Sequence, residues 1–296
     1  MDERAALALL DGELEAAGDD AAVVDGLVIT TDMLHERTDF PDGTTRYTAG
    51  WRAVGASLSD VAAMGATPTA AVAAYAAPAF DRDELLAFVR GASDVCELVG
   101  TEYVGGDLDG HDEFTVSTTV IGRTDDPVRR RGAQPGDVVC VTGTLGRSAA
   151  ALEHFERAAD DDHLERANDL FRFSPRIAAG RALAPHATAM MDSSDGLARS
   201  LHQLAEASDC GFAIEADRLP IDDAVYDITD DEDEALELAT TFGEDFELVA
   251  TLPEDAVSAV RAAADVSLSV IGSVSEAGDG LTIDGEPLAD RGYTHG

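Results

Sequence analysis

Short apolar segments alternate with amphipathic ones along the whole chain, which predicts an α/β (α+β) fold in two domains. Two further observations support this. The chain has 296 residues, more than one ordinary domain requires. Near its middle, "DDPVRRRGAQPGD" is polar, contains proline and lacks periodicity, as an interdomain boundary does. It divides the chain into residues 1–125 and 126–296.

In the first part, "AAVVDGLVITTD" reads as two short strands joined by the Asp25-Gly26 turn. "RYTAGWRAVGASLSDVAAMGA" is a helix, with Trp51, Val54, Leu58 and Val61 at helical spacing and Gly65 and Pro68 marking its stop. "TAAVAAYAAP" is a buried strand, and residues 81–99 form an amphipathic helix through Leu85, Phe88, Val89, Val95, Leu98 and Val99. "TEYVGGD" and "EFTVSTTVIGR" are strands around a polar loop.

In the second part, "DVVCVTG" is a strand that ends in glycine, followed by the helix "GRSAAALEHFERA". Helix 175–184, strand "ATAMMDSSD", helix 195–207 and strand "GFAIEA" come next. "DITDDEDEALELA", whose charge run is a solvated helix start, leads to strand "DFELVATLP", helix 254–264 and strand "LSVIGSV".

The 20 basic residues are all Arg, against 59 Asp+Glu, giving a net charge of −39. With 45% hydrophobic residues the chain can still build a core. So dense a carboxylate surface suits a cytosol rich in salt, where cations screen its self-repulsion. It argues against binding nucleic acid or anionic membranes. Cys96, Cys140 and Cys210 form no CxxC pair or even-numbered framework, as expected of a reducing compartment. The acidic start is unlike a signal peptide, and the Ala-rich run containing Pro78 is too short to span a bilayer. A cytoplasmic location is expected.

Five acidic sites differ from this background by their neighbours. They are "GDDAA" (Asp19, Asp20), "TTD" (Thr30, Thr31, Asp32), "SLSDVAAMG" (Asp60), "VGGD" (Asp107) and "MMDSSDG" (Asp192, Asp195). Each borders Gly, Ser or Thr, and three follow apolar strand residues. Carboxylates at strand ends are held in place, and packed together they resist ionising unless a cation joins them. An all-oxygen set of this kind suits Mg²⁺ and phosphate oxygens. For any one Asp a helix cap or surface position is the plainer reading, and Asp195 before Gly196 also reads as an N-cap. "TGTLGRSAA", a strand–glycine–helix junction, can attract an anion at its helix N-terminus or be an ordinary turn. It is no Walker loop, since GxxxxGK[ST] is absent. "VGGD" allows close backbone approach to a nucleotide, or simply a tight turn. Arg129-Arg130-Arg131 concentrates the positive charge, to meet an anionic ligand or form a linker salt bridge. The seven histidines lie in separate segments, which disfavours zinc.

The order "GDDAAVV", "TTDMLHERTDF", "SLSDVAAMGATP", "VGGD", "RRGAQPGDVVCVTGTLG", "MDSSDGLARSL", "GEDFELVATLP" and the terminal "GYTH" resembles the thiamine-monophosphate kinases, within the aminoimidazole ribonucleotide synthetase-like superfamily. The resemblance covers nearly the whole chain. It implies transfer of the γ-phosphoryl of ATP to thiamine monophosphate, giving thiamine diphosphate, with several Mg²⁺ ions. It implies an N-terminal metal/ATP-binding and dimerisation domain whose mixed sheet joins that of a second copy in a shared dimeric barrel. A C-terminal α/β domain then covers the nucleotide.

By motif match, Asp20, Thr30, Thr31, Asp32, Asp60, Asp107, Asp192 and Asp195 correspond to metal ligands. Gly106, Asp107, Arg130 and Ser194 correspond to ATP contacts, and Asp39, Glu244 and Tyr293 to substrate contacts. Asp39 stands where bacterial relatives carry His, a departure within the substrate contacts. The alternatives are an ATP-dependent relative such as aminoimidazole ribonucleotide synthetase, or a nucleotide- or cation-binding protein without turnover. Selenophosphate synthetases carry a reactive Cys near the N-terminus, and none precedes Cys96 here; hydrogenase-maturation relatives end in Cys, whereas this chain ends "GYTHG".

Overall fold

The computed structural model describes residues 13–14, 16–157 and 161–292. The first part runs β1 (Ala22–Val24), β2 (Leu27–His35), α1 (Glu36–Asp39), α2 (Arg46–Ala63), β3 (Thr67–Ala77), α3 (Arg82–Leu98), β4 (Tyr103–Gly110) and β5 (Thr115–Arg123). The second runs β6 (Val138–Thr142), α4 (Arg147–Glu156), α5 (Asp161–Phe171), α6 (Ile177–Leu183), β7 (Ala189–Asp192), α7 (Leu197–Ser208) and β8 (Cys210–Ile214). After these come α8 (Asp223–Tyr226), α9 (Glu232–Thr241), β9 (Leu248–Leu252), α10 (Val257–Ala263), β10 (Leu268–Glu276), β11 (Leu281–Ile283) and β12 (Glu286–Pro287).

Two mixed sheets result, in the orders β1-β2-β5-β3-β4 and β12-β11-β8-β10-β6-β9-β7. Each contains one parallel pair, β3 with β4 and β8 with β11, among antiparallel neighbours. The Asp25-Gly26 turn closes the first hairpin with both residues at positive φ, 50° and 76°, as a two-residue turn matched to strand twist requires.

The expectation of a shared barrel is corrected. A barrel needs its first and last strands bonded to one another. Here β1 pairs with β2 and β4 with β3, so the five-stranded sheet is open at both ends, and no sheet among the described residues closes. Asp107 and Asp109 stand exposed on the β4 edge, where charge discourages further strand pairing.

Helix α2 is the central element. Thr45 caps its start, accepting the Thr48 N–H at 3.1 Å. Val54, Leu58 and Val61 are fully buried, worth about 1.5–3 kcal/mol each. Its other faces are buried too, because the N-terminal sheet lies on one side and the second part of the chain on the other. A buried helix exposes few polar groups to water, so Arg52, Ser57, Ser59 and Asp60 must find partners inside the protein.

The expected helix over 81–99 is α3, with Asp81 as its cap accepting from the Asp83 and Glu84 N–H groups. Asp231 caps α9 in the same way, so the "DDEDE" run is a helix start. Asp195 is not the cap of α7: Gly196 holds that place and no side chain caps the helix. Helix α5, β11 and β12 had no counterpart in the sequence reading. No helix among the described residues is long and apolar enough to cross a membrane.

Candidate active site

The site lies where α2 passes between the two sheets. Residues two apart on a helix point about 200° from one another. Ser57 therefore faces β2, where its Oγ donates to Asp32, and Ser59 faces β7, where its Oγ donates to Asp192 Oδ2 at 2.7 Å. Asp60 follows directly, and Thr30 Oγ1 donates to its Oδ2. Asp20 comes from the segment before β1. One oxygen each from Asp20, Asp60 and Asp192 lies within 4.8 Å of the others.

Such crowding shows in proton affinity. Burial, then the charges of Asp32, Asp192 and Asp20, push the Asp60 carboxyl well above the usual carboxylate range. Burial and Asp20 raise Asp192 to about 7, against the opposing hydrogen bonds from Ser59 and Ser194. Burial also raises Asp32, where Ser57 opposes the shift and the charge of Glu244 adds to it. Three carboxylates that resist ionising together, all with oxygen donors, fit a divalent cation of the Mg²⁺ type.

Arg130 is the counter-charge present. Its Nη2 lies 3.0 Å from Asp20 Oδ1 and its Nε 3.3 Å from Asp20 Oδ2, while Arg129 Nη1 reaches Asp19 at 2.6 Å. The arginine run thus forms salt bridges to the "GDD" segment. Burial disfavours the Arg130 charge, but Asp20, Asp192 and Asp60 outweigh it and hold its pKa above the ordinary value.

The second part of the site is a cavity of about 290 Å³ lined by Asp39, Pro41, Phe171, Phe242, Glu244 and Gly292, among others. Asp39 is fixed by the His35 N–H at 2.6 Å and the Thr38 hydroxyl at 2.9 Å. Glu244 sits at a positive φ of 73° in a loop tied to the Asp192 strand end, its N–H donating to Ser194 O at 2.7 Å. Ser194 in turn donates through Oγ to Asp192 Oδ1 at 2.8 Å. One loop contact therefore joins the carboxylate cluster to a pocket with aromatic walls and two carboxylates.

Several expected residues fall elsewhere. Strand alternation turns Thr31 to the face opposite Thr30 and Asp32, where its hydroxyl donates to Thr118 O at 2.8 Å. The register Asp32↔Thr118↔Ala73↔Gly106 places "GGD" three strands from Asp32, about 14 Å at the usual spacing of ~4.8 Å. Asp107 pairs with Ala74, whose neighbours across the sheet are Ser117 and Met33, so it shares the outer face with them. A Cβ on Gly106 would lie 1.7 Å from Ala73 O, so this glycine permits close approach of strand β3. Tyr293 lies outside the described residues; its neighbour Gly292 lines the cavity.

The junction before α4 is an ordinary turn with its own anion. Asp245 accepts the Gly146 N–H at 2.5 Å and the Ser148 N–H at 2.9 Å, which occupies the helix start proposed for phosphate. Burial raises Asp245 to about 7 against those two hydrogen bonds. Ser57, Ser59, Arg52 and Asp245 were not foreseen. The signal for three of them was polar residues inside the otherwise apolar α2 segment.

The AIR synthase related protein N-terminal domain family matches residues 18–124, and its C-terminal domain family residues 134–284. The thiamine-monophosphate kinase of Halobacterium salinarum is 65% identical over 295 residues, covering 100% of both chains. This chain belongs to the thiamine-monophosphate kinase family. The Escherichia coli K12 thiamine-monophosphate kinase is 35% identical over 97% of this chain and 93% of its own. Among solved structures, AaThiL complexed with AMPPCP and TMP superposes with a TM-score of 0.88 at 29% identity, covering 100% of this chain and 97% of that one.

Proposed function

We propose that the Asp20–Asp60–Asp192 cluster and the adjoining cavity are the donor and acceptor halves of one phosphoryl-transfer site. The enzyme phosphorylates thiamine monophosphate to thiamine diphosphate with ATP. What supports this placement is the single Ser194–Glu244 contact, which sets the carboxylates beside a pocket suited to an aromatic cation.

Mg²⁺ bound by Asp20, Asp60 and Asp192, with Asp32 and Asp195 as further ligands, would neutralise the charge gathered by two phosphorylated reactants. Ser59 and Ser194 hold the Asp192 carboxylate in one orientation, Ser57 holds Asp32 and Thr30 holds Asp60. Arg130 pairs with Asp20 here and would contact the ATP phosphates when nucleotide binds. Asp39 and Glu244 would face the thiazolium, and Tyr293 is assigned to the same substrate by motif match alone. The attacking oxygen belongs to a phosphate already ionised at neutral pH, so alignment and charge neutralisation suffice without a strong base. The bond from the γ-phosphorus to the ATP bridging oxygen breaks as the new P–O–P bond forms, and ADP leaves. Purified protein with ATP, Mg²⁺ and thiamine monophosphate in molar KCl should release ADP and thiamine diphosphate together. ADP release that ignores thiamine monophosphate but follows formylglycinamidine ribonucleotide would refute the acceptor.

The homodimer belongs to the same proposal. Ile29, Met33, Val72 and Ile121 are exposed on the outer face of the open sheet, which also carries Thr31 and Asp107. A cluster of this kind on a charged surface calls for a partner, and a second copy would bring Asp107 and the "GGD" backbone into an enclosed site. Sedimentation in molar KCl should give twice the 30.9 kDa chain mass, and a monomer active at full rate would refute it. We assign residues 1–125 to the metal, ATP and dimer-forming domain and 126–296 to the covering domain. Cys96, Cys140 and Cys210 are buried and form no disulfide, in keeping with the reducing, cytoplasmic location proposed here.

A further inference from the structure

Arg52 is a cation set behind the acceptor cavity, and it is 2% exposed. Its Nη1 donates to Phe171 O and its Nη2 to the Glu244 carboxylate. The guanidinium carbon lies 3.6 Å from the centroid of the Phe171 ring, which forms part of the cavity wall. Burial lowers its pKa, and Glu244, Asp245 and Asp39 counter that in turn. On either side, Trp51 Nε1 donates to Phe173 O at 2.5 Å and Arg172 to Thr48 Oγ1 at 3.0 Å, so α2 grips the whole 171–173 segment.

These contacts have a chemical consequence. Glu244 occupies a left-handed backbone position that a non-glycine residue takes only when its surroundings hold it there. A bidentate-capable guanidinium is suited to fixing the carboxylate in one orientation. Charge balance is the second consequence. Asp39 and Glu244 bring carboxylates to the cavity and Arg52 a single cation behind it, with Asp245 also facing the guanidinium, so the lining is net acidic and suits a cationic ring.

We infer that Arg52 is a positioning residue for the acceptor, holding Glu244 and the Phe171 wall in place to receive its cationic aromatic ring. This rests on the cavity being the acceptor site. Arg52 touches neither the Asp20–Asp60–Asp192 cluster nor the reacting atoms, so its effect falls on acceptor affinity.

The test is steady-state kinetics of R52M, R52K, E244Q and R52M/E244Q, with thiamine monophosphate and ATP varied separately in molar KCl. R52M should raise KM for thiamine monophosphate by about thirtyfold, with KM for ATP and kcat within about threefold. R52K, which keeps the charge and one bond to Glu244, should recover most of that loss. The double variant should be no worse than the worse of the two single variants, since Arg52 acts on the acceptor through Glu244. If R52M does not fold, R52Q, which loses the charge but keeps a donor for Phe171 O, carries the same expectations. Equal rises in both KM values, or multiplying effects of R52M and E244Q, overturn the inference and leave the acceptor reading intact. An unchanged KM for thiamine monophosphate in E244Q and R52M alike overturns both.

Discussion

Asp60→Asn should abolish turnover and make the metal-free protein more stable. The fold resists ionising Asp60, because it is buried and faces Asp32, Asp192 and Asp20. An amide of the same shape still accepts the Thr30 hydroxyl bond but brings no charge to the cluster. Removing that charge relieves repulsion, and about 1 kcal/mol of added stability is expected. The same change would remove one of the three carboxylates proposed to hold the cation. Charge neutralisation by bound metal supplies several kcal/mol at the transition state, so kcat should fall by about a thousandfold or more. Urea denaturation in molar KCl with and without Mg²⁺, beside a turnover assay, reads both effects. A variant that turns over within tenfold of the parent at saturating Mg²⁺, or that Mg²⁺ stabilises as much as the parent, removes Asp60 from the site.

The second large effect is a reversal of pH dependence by metal. Asp192 has a folded-state pKa of about 7 against an ordinary value of 3.8, and Asp60 is raised in the same direction. The folded chain therefore holds these protons more tightly than the unfolded chain. Their contribution to stability is fully present below about pH 4 and is lost as pH rises through about 7. At about 1.4 kcal/mol per tenfold change in proton affinity, Asp192 alone accounts for ~4 kcal/mol across that range. Mg²⁺ replaces the protons, so its affinity climbs with pH and the loaded protein should hold its stability where the free protein weakens. Melting curves between about pH 5 and 8, with EDTA or with Mg²⁺, should diverge as pH rises. Parallel curves would show that these carboxylates do not share a cation.

The same residues show what was legible in the chain alone. Strand and helix order needed only near neighbours: alternation in "LVITTD", the 3.6-residue spacing in α2, and caps such as Asp81 act within a few residues of themselves. "GDDAA", "SLSDV" and "MMDSSD" were singled out for their small and hydroxyl neighbours, and Asp20, Asp60 and Asp192 do meet. Motif order also placed the chain in its family, which local physics could not do. "VGGD" looked equivalent to these by the same criterion, yet Asp107 ends on the outer face three strands away.

Strand order and register, set by long-range pairing, decide which carboxylates share a space. The sequence by itself determined most of the elements, though not α5, β11 or β12, and the supply of carboxylates beside small and hydroxyl residues. Only the tertiary structure turned Ser57 and Ser59 toward opposite sheets, put Asp245 on a helix start and set Arg52 behind Glu244. Each of those contacts joins segments distant along the chain, and no local preference encodes them.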